Sequence, residues 1–131
     1  MRVLLDTHVW LWALLAPSKL RPRVVRALQA ETGERWLSPV STWEVLVLAQ
    51  RGRIELDLPA DEWIERALAQ SPLIEAPLTH DIVRESGRIE LPHRDPADRF
   101  LAGTARALNL TLVTADERLL RCKQVRTLSA R

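Results

Sequence analysis

The sequence is poor in the residues that build cross-links, zinc sites and membrane spans. Its one cysteine, Cys122, excludes an internal disulfide and any cysteine-based zinc site. No apolar run reaches the roughly 20 residues that cross a bilayer, and the longest early run, 9–16, is too short. Asp6 interrupts the apolar stretch after Arg2, which is unlike a signal peptide. We therefore expect a cytoplasmic protein with no membrane partner.

Common signatures of catalysis are also missing. The sequence has no GxxxxGK phosphate-binding loop, and no serine, histidine and aspartate are spaced like a catalytic triad. Charged residues make up 27% of the chain without a long block of one sign, so a disordered chain or a charged tail is not indicated. With 19 basic and 17 acidic residues, any attraction for anions depends on how the charges are distributed.

The sequence has enough apolar residues to form one compact core. The 131 residues are 47% hydrophobic, which predicts a single domain over 1–131. Short apolar strands alternate with helical patterns, and no Asn-Gly hairpin signal occurs, so we predict a mostly parallel sheet covered on both faces. The predicted strands are 3–5, 35–37, 73–78, 110–113 and 124–128. The predicted helices are 7–16, 19–30, 39–51, 59–70, 79–86 and 95–109, with a helical turn at 118–120.

Four acids are placed where such a fold gathers its chemistry. Asp6 follows the first strand directly, and Asp116 comes shortly after the fourth. Functional groups of open parallel sheets lie outside the carboxyl ends of the strands, so both acids belong at one edge. Glu44 and Asp98 lie in the first turns of two helices, whose N-termini adjoin those strand ends. We predict that the four carboxylates converge.

A cluster of carboxylates favours a hard metal ion. Each carboxylate repels its neighbours and raises their pKa values, and a divalent cation removes that penalty. Oxygen ligands without histidine or cysteine at ligand spacing indicate Mg²⁺ or Mn²⁺. Such ions engage phosphates, and the chemistry that fits is phosphodiester hydrolysis.

Each acid also has an ordinary structural interpretation. Asp6 and Asp116 are suited to capping the helical turns that follow them. Asp95 precedes Pro96 and is better explained as a helix N-cap than as a ligand, and Asp98 fits a capping-box position. Glu44 fits a solvated helix position. The case for a site therefore depends on the acids as a set.

The segments LLDTHVW, STWEV, HRDPADRFLAGTA and LVTAD, in this order and spacing, resemble the PIN-domain ribonucleases. Within that family they resemble the VapC-type toxins of bacterial type II toxin–antitoxin pairs, over nearly the whole chain. The resemblance implies a three-layer α/β/α sandwich with a mostly parallel central sheet. It also implies an endoribonuclease that requires Mg²⁺ or Mn²⁺.

The family's acids correspond to acids of this chain in order along the sequence. The catalytic and metal-binding residues that the resemblance implies are Asp6, Glu44, Asp98 and Asp116. Asp95 stays open between an auxiliary ligand and a helix cap. Ala97 departs from the expected DPFDR pattern, in which an aromatic residue stands at that position.

Basic and hydroxyl residues beside the acids are predicted to contact substrate. Arg94 and Arg99 flank the acidic segment, and guanidinium groups match phosphate oxygens. His93 is a third phosphate-binding candidate. Thr7 and Thr114 neighbour the first and last acids, and the resemblance implies that they belong to the same substrate-binding set.

The tryptophans suggest a protein partner. Trp10 and Trp12 cannot both face the core from one helix, because residues two apart lie on different faces. In VapC-like proteins an antitoxin segment packs into a groove formed by the early helices, so the resemblance implies a cognate antitoxin contacting Trp10 or Trp12. A homodimer is also expected.

The alternative function is a catalytically silent PIN-like binding or scaffold protein. The complete set of four acids argues against it, because a binding surface has no need of converging carboxylates. Metal affinity distinguishes the two hypotheses.

Overall fold

The computed structural model describes residues 1–70, 72–92 and 95–131. These residues form a sheet of five strands in the order β3-β2-β1-β4-β5. Every strand pair is parallel, with Leu4 opposite Trp36 on one side and Leu112 on the other. The strands are β1 Arg2–Leu5, β2 Glu34–Leu37, β3 Ile74–Glu75, β4 Thr111–Thr114 and β5 Thr127–Ser129.

Helices cover both faces of this sheet. They are α1 Thr7–Leu15, α2 Pro22–Gln29, α3 Pro39–Gln50, α4 Ala60–Gln70, α5 His80–Ser86, α6 Pro96–Ala107 and α7 Glu117–Leu120, with a 3-10 turn at Pro17–Lys19. Successive strand residues point to opposite faces, so Val3 and Leu5 enter one core and Leu4 enters the other. Helices α1 to α4 pack over the first core, α6 and α7 pack over the second, and α5 packs against α6. The predicted α/β/α sandwich with a parallel sheet is confirmed.

Local sequence explains where the helices begin and end. Proline opens α2, α3 and α6, a position where its missing N–H is not needed. The Ser38 hydroxyl accepts a hydrogen bond from Val40 N at 3.0 Å, as the predicted N-cap of α3. After α6, Asn109 adopts a left-handed conformation with φ 56°, which asparagine tolerates at a helix end.

Two predicted strands differ from the observed ones. The strand predicted over 73–78 is only Ile74–Glu75, because Pro72 and Pro77 cannot donate to a ladder. The strand predicted over 124–128 is Thr127–Ser129. Gln124 instead ties down the loop after α5, accepting from Glu90 N at 2.6 Å and donating to the Arg88 carbonyl at 2.9 Å.

The early helical region also begins later than predicted. Pro17–Lys19 forms the separate turn, and α2 starts at Pro22 rather than at residue 19. In the described part of the chain, no helix has the length and apolar character to cross a bilayer.

Candidate active site

The first acid, Asp6, lies at the junction of β1 and α1. Its carboxylate accepts a hydrogen bond from Thr7 N at 2.7 Å, as the N-cap of α1, and another from Thr114 Oγ1 at 2.6 Å. The Thr114 hydroxyl also accepts from Asp116 N at 3.0 Å. Thr114 is therefore a buried link that sets the position of Asp6 and of the backbone at Asp116.

The second acid, Glu44, is held by the other threonine. The Thr7 hydroxyl donates to the Glu44 carboxylate and is also hydrogen-bonded to Ser41 Oγ at 2.9 Å. Ser41 and Glu44 are three residues apart on α3, so both reach the same side of the helix. Since Thr7 lies one residue after Asp6, this bond couples α3 to the start of α1.

The remaining acids lie at the starts of α6 and α7. Asp95 Oδ1 accepts from Ala97 N at 3.0 Å, which confirms its interpretation as the N-cap of α6. Asp98, in the first turn of that helix, is 8% exposed. Asp116 caps α7 by accepting from Arg118 N at 2.8 Å, and the Arg118 guanidinium lies 3.5 Å from its other oxygen.

All five carboxylates face one cleft of about 350 Å³ at the carboxyl edge of the sheet. The cleft is lined by Asp6, His8, Trp12, Glu44, Asp95, Asp98, Ala115, Asp116 and Arg131. As the side chains lie, no three His, Cys, Asp or Glu within the ranges 1–70, 72–92 and 95–131 are arranged to hold a metal ion. Oxygens of Asp6 and Glu44 are engaged by the two threonines instead.

The electrostatics of the cleft are those of crowded acids. Burial, followed by the charges of the neighbouring acids, raises the pKa of Asp98 from 3.8 to about 7. Burial also raises the pKa values of Asp6 and Glu44, against the opposing hydrogen bonds from Thr114 and Thr7. At Asp116, burial acts upward on the pKa but is outweighed by hydrogen bonds and charge from Arg118, so that pKa is lowered.

Not every residue predicted to bind substrate lies in this cleft. Thr7 and Thr114 are fully buried, and their hydroxyls donate to the carboxylates of Glu44 and Asp6. A direct contact of either threonine with substrate stays a prediction. The Arg99 guanidinium donates to the backbone carbonyls of Ile89 at 2.6 Å and Leu91 at 3.5 Å, which are structural contacts. A phosphate-binding role for Arg99 stays a prediction. His93 and Arg94, also predicted to bind substrate, lie outside the described residues.

The PIN domain family model matches residues 3–124. The chain belongs to the PIN domain family. A curated relative, Ribonuclease VapC22 of Mycobacterium tuberculosis (strain ATCC 25618 / H37Rv), is 30% identical over 120 residues, which cover 89% of this chain and 88% of that protein. The resemblance found in the four sequence segments is thus confirmed at the level of the family.

Solved structures show the same fold for this PIN domain. VapBC2 from Rickettsia felis, bound to a DNA fragment from its promoter, matches with a TM-score of 0.75 and 16% identity over 100% of both chains. DNA-bound VapBC from Salmonella typhimurium matches with a TM-score of 0.69 and 19% identity over 98% of both chains.

Three residues at or beneath the cleft of this PIN domain were not predicted as site residues: Ser41, Trp12 and Arg131. Ser41 supports Thr7 beneath the acids, and its spacing from Glu44 on one helix was the available signal. Trp12 lines the cleft while Trp10 is buried in the core at 2% exposure. Arg131 reaches the cleft because β5 runs parallel to β4, a pairing that its local sequence does not reveal.

We predict that Thr114→Val weakens the site without removing an acid. Valine keeps the shape but cannot donate to Asp6, and it leaves Asp116 N without its acceptor. We expect RNA cleavage to fall about 10- to 100-fold, as for other groups that orient ligands, and stability to fall by about 1 to 2 kcal/mol. Rates and urea unfolding measure both effects. Thr114→Ser, which retains the hydroxyl, should restore most of the activity; equal activity in the valine and wild-type proteins would contradict the assigned role.

We also predict that the metal-free PIN domain loses stability as pH rises from about 4 to 7, the interval between the unfolded and folded pKa values of Asp98. The folded pKa of Asp98, about 7, lies above its unfolded value of 3.8, so between these values the folded state holds a proton that the unfolded chain has lost. Stability from this group is therefore complete below pH 4 and lost through pH 7. After allowance for solvent screening the change is about 2 kcal/mol.

Urea unfolding in EDTA at several pH values measures this change. Other groups also titrate, so the matched control is Asp98→Asn, whose stability should depend less on pH. An identical pH profile for the two proteins would refute the prediction.

Proposed function

We propose that this PIN domain is a metal-dependent endoribonuclease that hydrolyses RNA phosphodiester bonds, and that it is the toxin of a toxin–antitoxin pair. The observation that carries the proposal is the convergence of acids from separate elements in one open cleft. Asp6 comes from the end of β1, Glu44 from α3, Asp98 from α6 and Asp116 from the segment after β4. Helix capping accounts for Asp6, Asp95 and Asp116 one by one, but it does not require them to share one cleft, where the neighbouring charges raise the pKa of Asp98.

The donor set supports Mg²⁺ or Mn²⁺ as the cofactor. All five acidic side chains offer oxygen ligands, which these hard ions prefer. Held among them, the ion would polarise a phosphoryl oxygen and lower the pKa of an attacking water. Asp6, Glu44, Asp98 and Asp116 are the proposed ligands, and Asp95 is a further one only if its capping bond to Ala97 permits it.

The chain's own hydrogen bonds prepare this site. Thr114 and Thr7 hold the carboxylates of Asp6 and Glu44 at the cleft wall. The Thr7 hydroxyl takes one oxygen of Glu44. Both oxygens of Asp6 already accept a hydrogen bond, one from Thr7 N and one from Thr114, so a metal ion would use a second lone pair of an Asp6 oxygen. Binding also requires the acids to turn towards one another, since no three of the described acids share an ion as they lie.

We propose RNA as the substrate because a relative that is similar over most of both chains is named Ribonuclease VapC22. We place the reaction in the cytoplasm, in keeping with an RNA substrate.

An apolar groove supports an antitoxin partner. Trp10, Leu14, Leu20 and Leu28 line this groove between α1 and α2, and its volume is about 350 Å³. Solved structures with this fold include the VapBC2 complex from Rickettsia felis and a toxin-antitoxin complex from Klebsiella pneumoniae. We propose that a helix of the cognate antitoxin occupies the groove over the buried Trp10, which forms part of its floor, while Trp12 faces the acidic cleft.

A homodimer is proposed as well. Trp43 is 58% exposed on α3 and shares a groove with Leu46, Leu68 and Ile74. Exposed apolar surface of this kind is typical of interaction sites. Light scattering of the purified protein measures the oligomeric state; a monomer at all concentrations would contradict the dimer.

The test of the proposed function is cleavage by the purified wild-type protein. Structured and single-stranded RNAs are incubated with Mg²⁺, with Mn²⁺, and with EDTA, and the products are resolved on denaturing gels. We expect cleavage with either ion and none in EDTA, with activity restored when metal is added back. RNA that stays intact under all three conditions would refute the nuclease.

Calorimetry separates the enzyme from the scaffold alternative. A nuclease site should bind Mn²⁺ with measurable heat, and Asp98→Asn should weaken that binding. A protein that binds no divalent ion but still forms a stable complex with a partner would support the scaffold.

A further inference from the structure

A cluster of cationic and aromatic side chains borders the acidic cleft. We call Trp12, His8, Lys19 and Arg131 the Trp12 cluster. Arg131 Cζ lies 4.7 Å from the centroid of the Trp12 ring, and Lys19 Nζ lies 5.8 Å from it. The His8 ring lies 5.9 Å away, tilted by 51°. Three of these residues, Trp12, His8 and Arg131, line the same cleft as the acids.

The two tryptophans of α1 lie in different surroundings. Trp10 is buried and packs edge-on against Trp63, with ring centroids 5.5 Å apart. Trp12 is half-buried: part of the ring packs on the core, and part faces the cleft. Core packing alone does not explain why two cations gather around the second ring.

The position of these cations matters for an anionic substrate. A phosphate chain that approaches Asp6 and Asp116 is repelled by them, and a metal ion offsets that repulsion only where it binds. Lys19 and Arg131 carry positive charge on the side of the cleft next to Trp12. They are placed to engage a flanking phosphate, and the guanidinium of arginine suits phosphate oxygens.

We propose that the Trp12 cluster is a nucleotide subsite, in which Trp12 stacks on one base of a single-stranded RNA and Lys19 and Arg131 bind an adjacent phosphate. The inference rests on the proposed RNA substrate. On binding, the base takes the place of the Arg131 guanidinium on the ring, and the guanidinium moves to the phosphate. Stacking of a base on an aromatic side chain is tolerant of sequence, so the subsite orders the strand and does not read it.

The test compares Trp12→Leu, Trp12→Phe and wild type in binding single-stranded RNA. Fluorescence anisotropy is measured with Ca²⁺ in place of Mg²⁺, and gels establish that the RNA is intact. From the range known for base stacking, Trp12→Leu should raise Kd roughly 5- to 100-fold, and Trp12→Phe should lie within about 5-fold of wild type. Trp36→Leu is the matched control, because Trp36 is also half-buried and has a cation, Arg2, over its ring, but it does not line the cleft; this variant should bind like wild type.

Two further measurements separate stacking from loss of structure. On an abasic ribose-phosphate oligomer, wild type and Trp12→Leu should bind equally, because there is no base to stack. Arg131→Gln should reduce the salt dependence of RNA binding by about 0.7 in slope, the value for one phosphate contact on a single strand.

Failure of this inference is distinguishable from failure of the proposed function. If wild type cleaves RNA but Trp12→Leu binds RNA equally well, the nucleotide subsite is refuted. The proposed nuclease activity is then unaffected, and the Trp12 cluster has another role, such as binding a protein partner. A weakening by Trp12→Leu that is as large on the abasic oligomer as on RNA would refute stacking. If wild type neither binds nor cleaves RNA, both proposals fall.

Discussion

Asp6→Asn is expected to lower metal-dependent RNA cleavage by at least about 10³-fold while leaving the protein folded. Loss of a single group that only orients a ligand or stabilises developing charge already costs about 10- to 10³-fold. Asp6 is a proposed ligand itself, and asparagine replaces a charged oxygen with an amide. The largest loss of activity from one substitution should therefore be at this position.

The structural consequences of Asp6→Asn should be smaller. The amide oxygen of the asparagine still accepts from Thr7 N, but the amide nitrogen cannot accept from the Thr114 hydroxyl. The same hydroxyl accepts a hydrogen bond from Asp116 N. The substitution also removes a buried charge that costs free energy, because burial disfavours the charged form of Asp6 and raises its pKa. This gain offsets the cost of the lost hydrogen bond. We expect the metal-free variant to unfold within about 1 kcal/mol of wild type, because these terms oppose each other.

Single-turnover cleavage in Mn²⁺ and thermal unfolding in EDTA measure the two effects separately. The control is Asp81→Asn: this acid lies exposed on α5, and its carboxylate is 3.5 Å from Arg84. It should cleave like wild type. If Asp6→Asn cleaves within a few-fold of wild type, Asp6 is not a ligand and the proposed site is wrong.

The sequence predicted the acids because their positions follow from strand and helix boundaries. Asp6 comes after an apolar run and Asp98 after Asp95-Pro96, and both boundaries are marked by local residues. The parallel sheet then brings the ends of β1 and β4 together. The convergence of Asp6 with Asp116 therefore follows from local pattern plus the topology of α/β folds.

The supporting contacts could not be predicted in the same way. The bond from Thr7 to Glu44 joins residues 37 positions apart, and that from Thr114 to Asp6 joins residues 108 apart. Which tryptophan faces the core was also undetermined, because α1 is apolar on nearly all sides and has no polar face to orient it. Only the packing of α1 against α3, β4 and, through Trp63, α4 assigns Trp10 to the core and Trp12 to the cleft.

The packing of α6 on α5 is another feature that only the structure reveals. A Cβ atom added at Gly103 would lie 2.8 Å from both Cα and N of Ser86, closer than such atoms approach. These are backbone atoms, so no side-chain rotation relieves the contact. Glycine is thus what allows the two helices to approach, and α6 is the helix that begins with Asp95 and Asp98.

Gly103→Ala should therefore destabilise the protein by about 2 to 3 kcal/mol, as for other overpacked cores, even though alanine favours helices. Activity should fall too, because moving α6 displaces Asp98. Urea unfolding and cleavage rates measure the two. The matched control, Gly52→Ala, introduces strain of about 1 kcal/mol at φ +67° with open space around the Cβ, so it should lose stability but keep its activity. If Gly103→Ala were as stable as wild type, the close approach of α5 and α6 would not be a requirement of this fold.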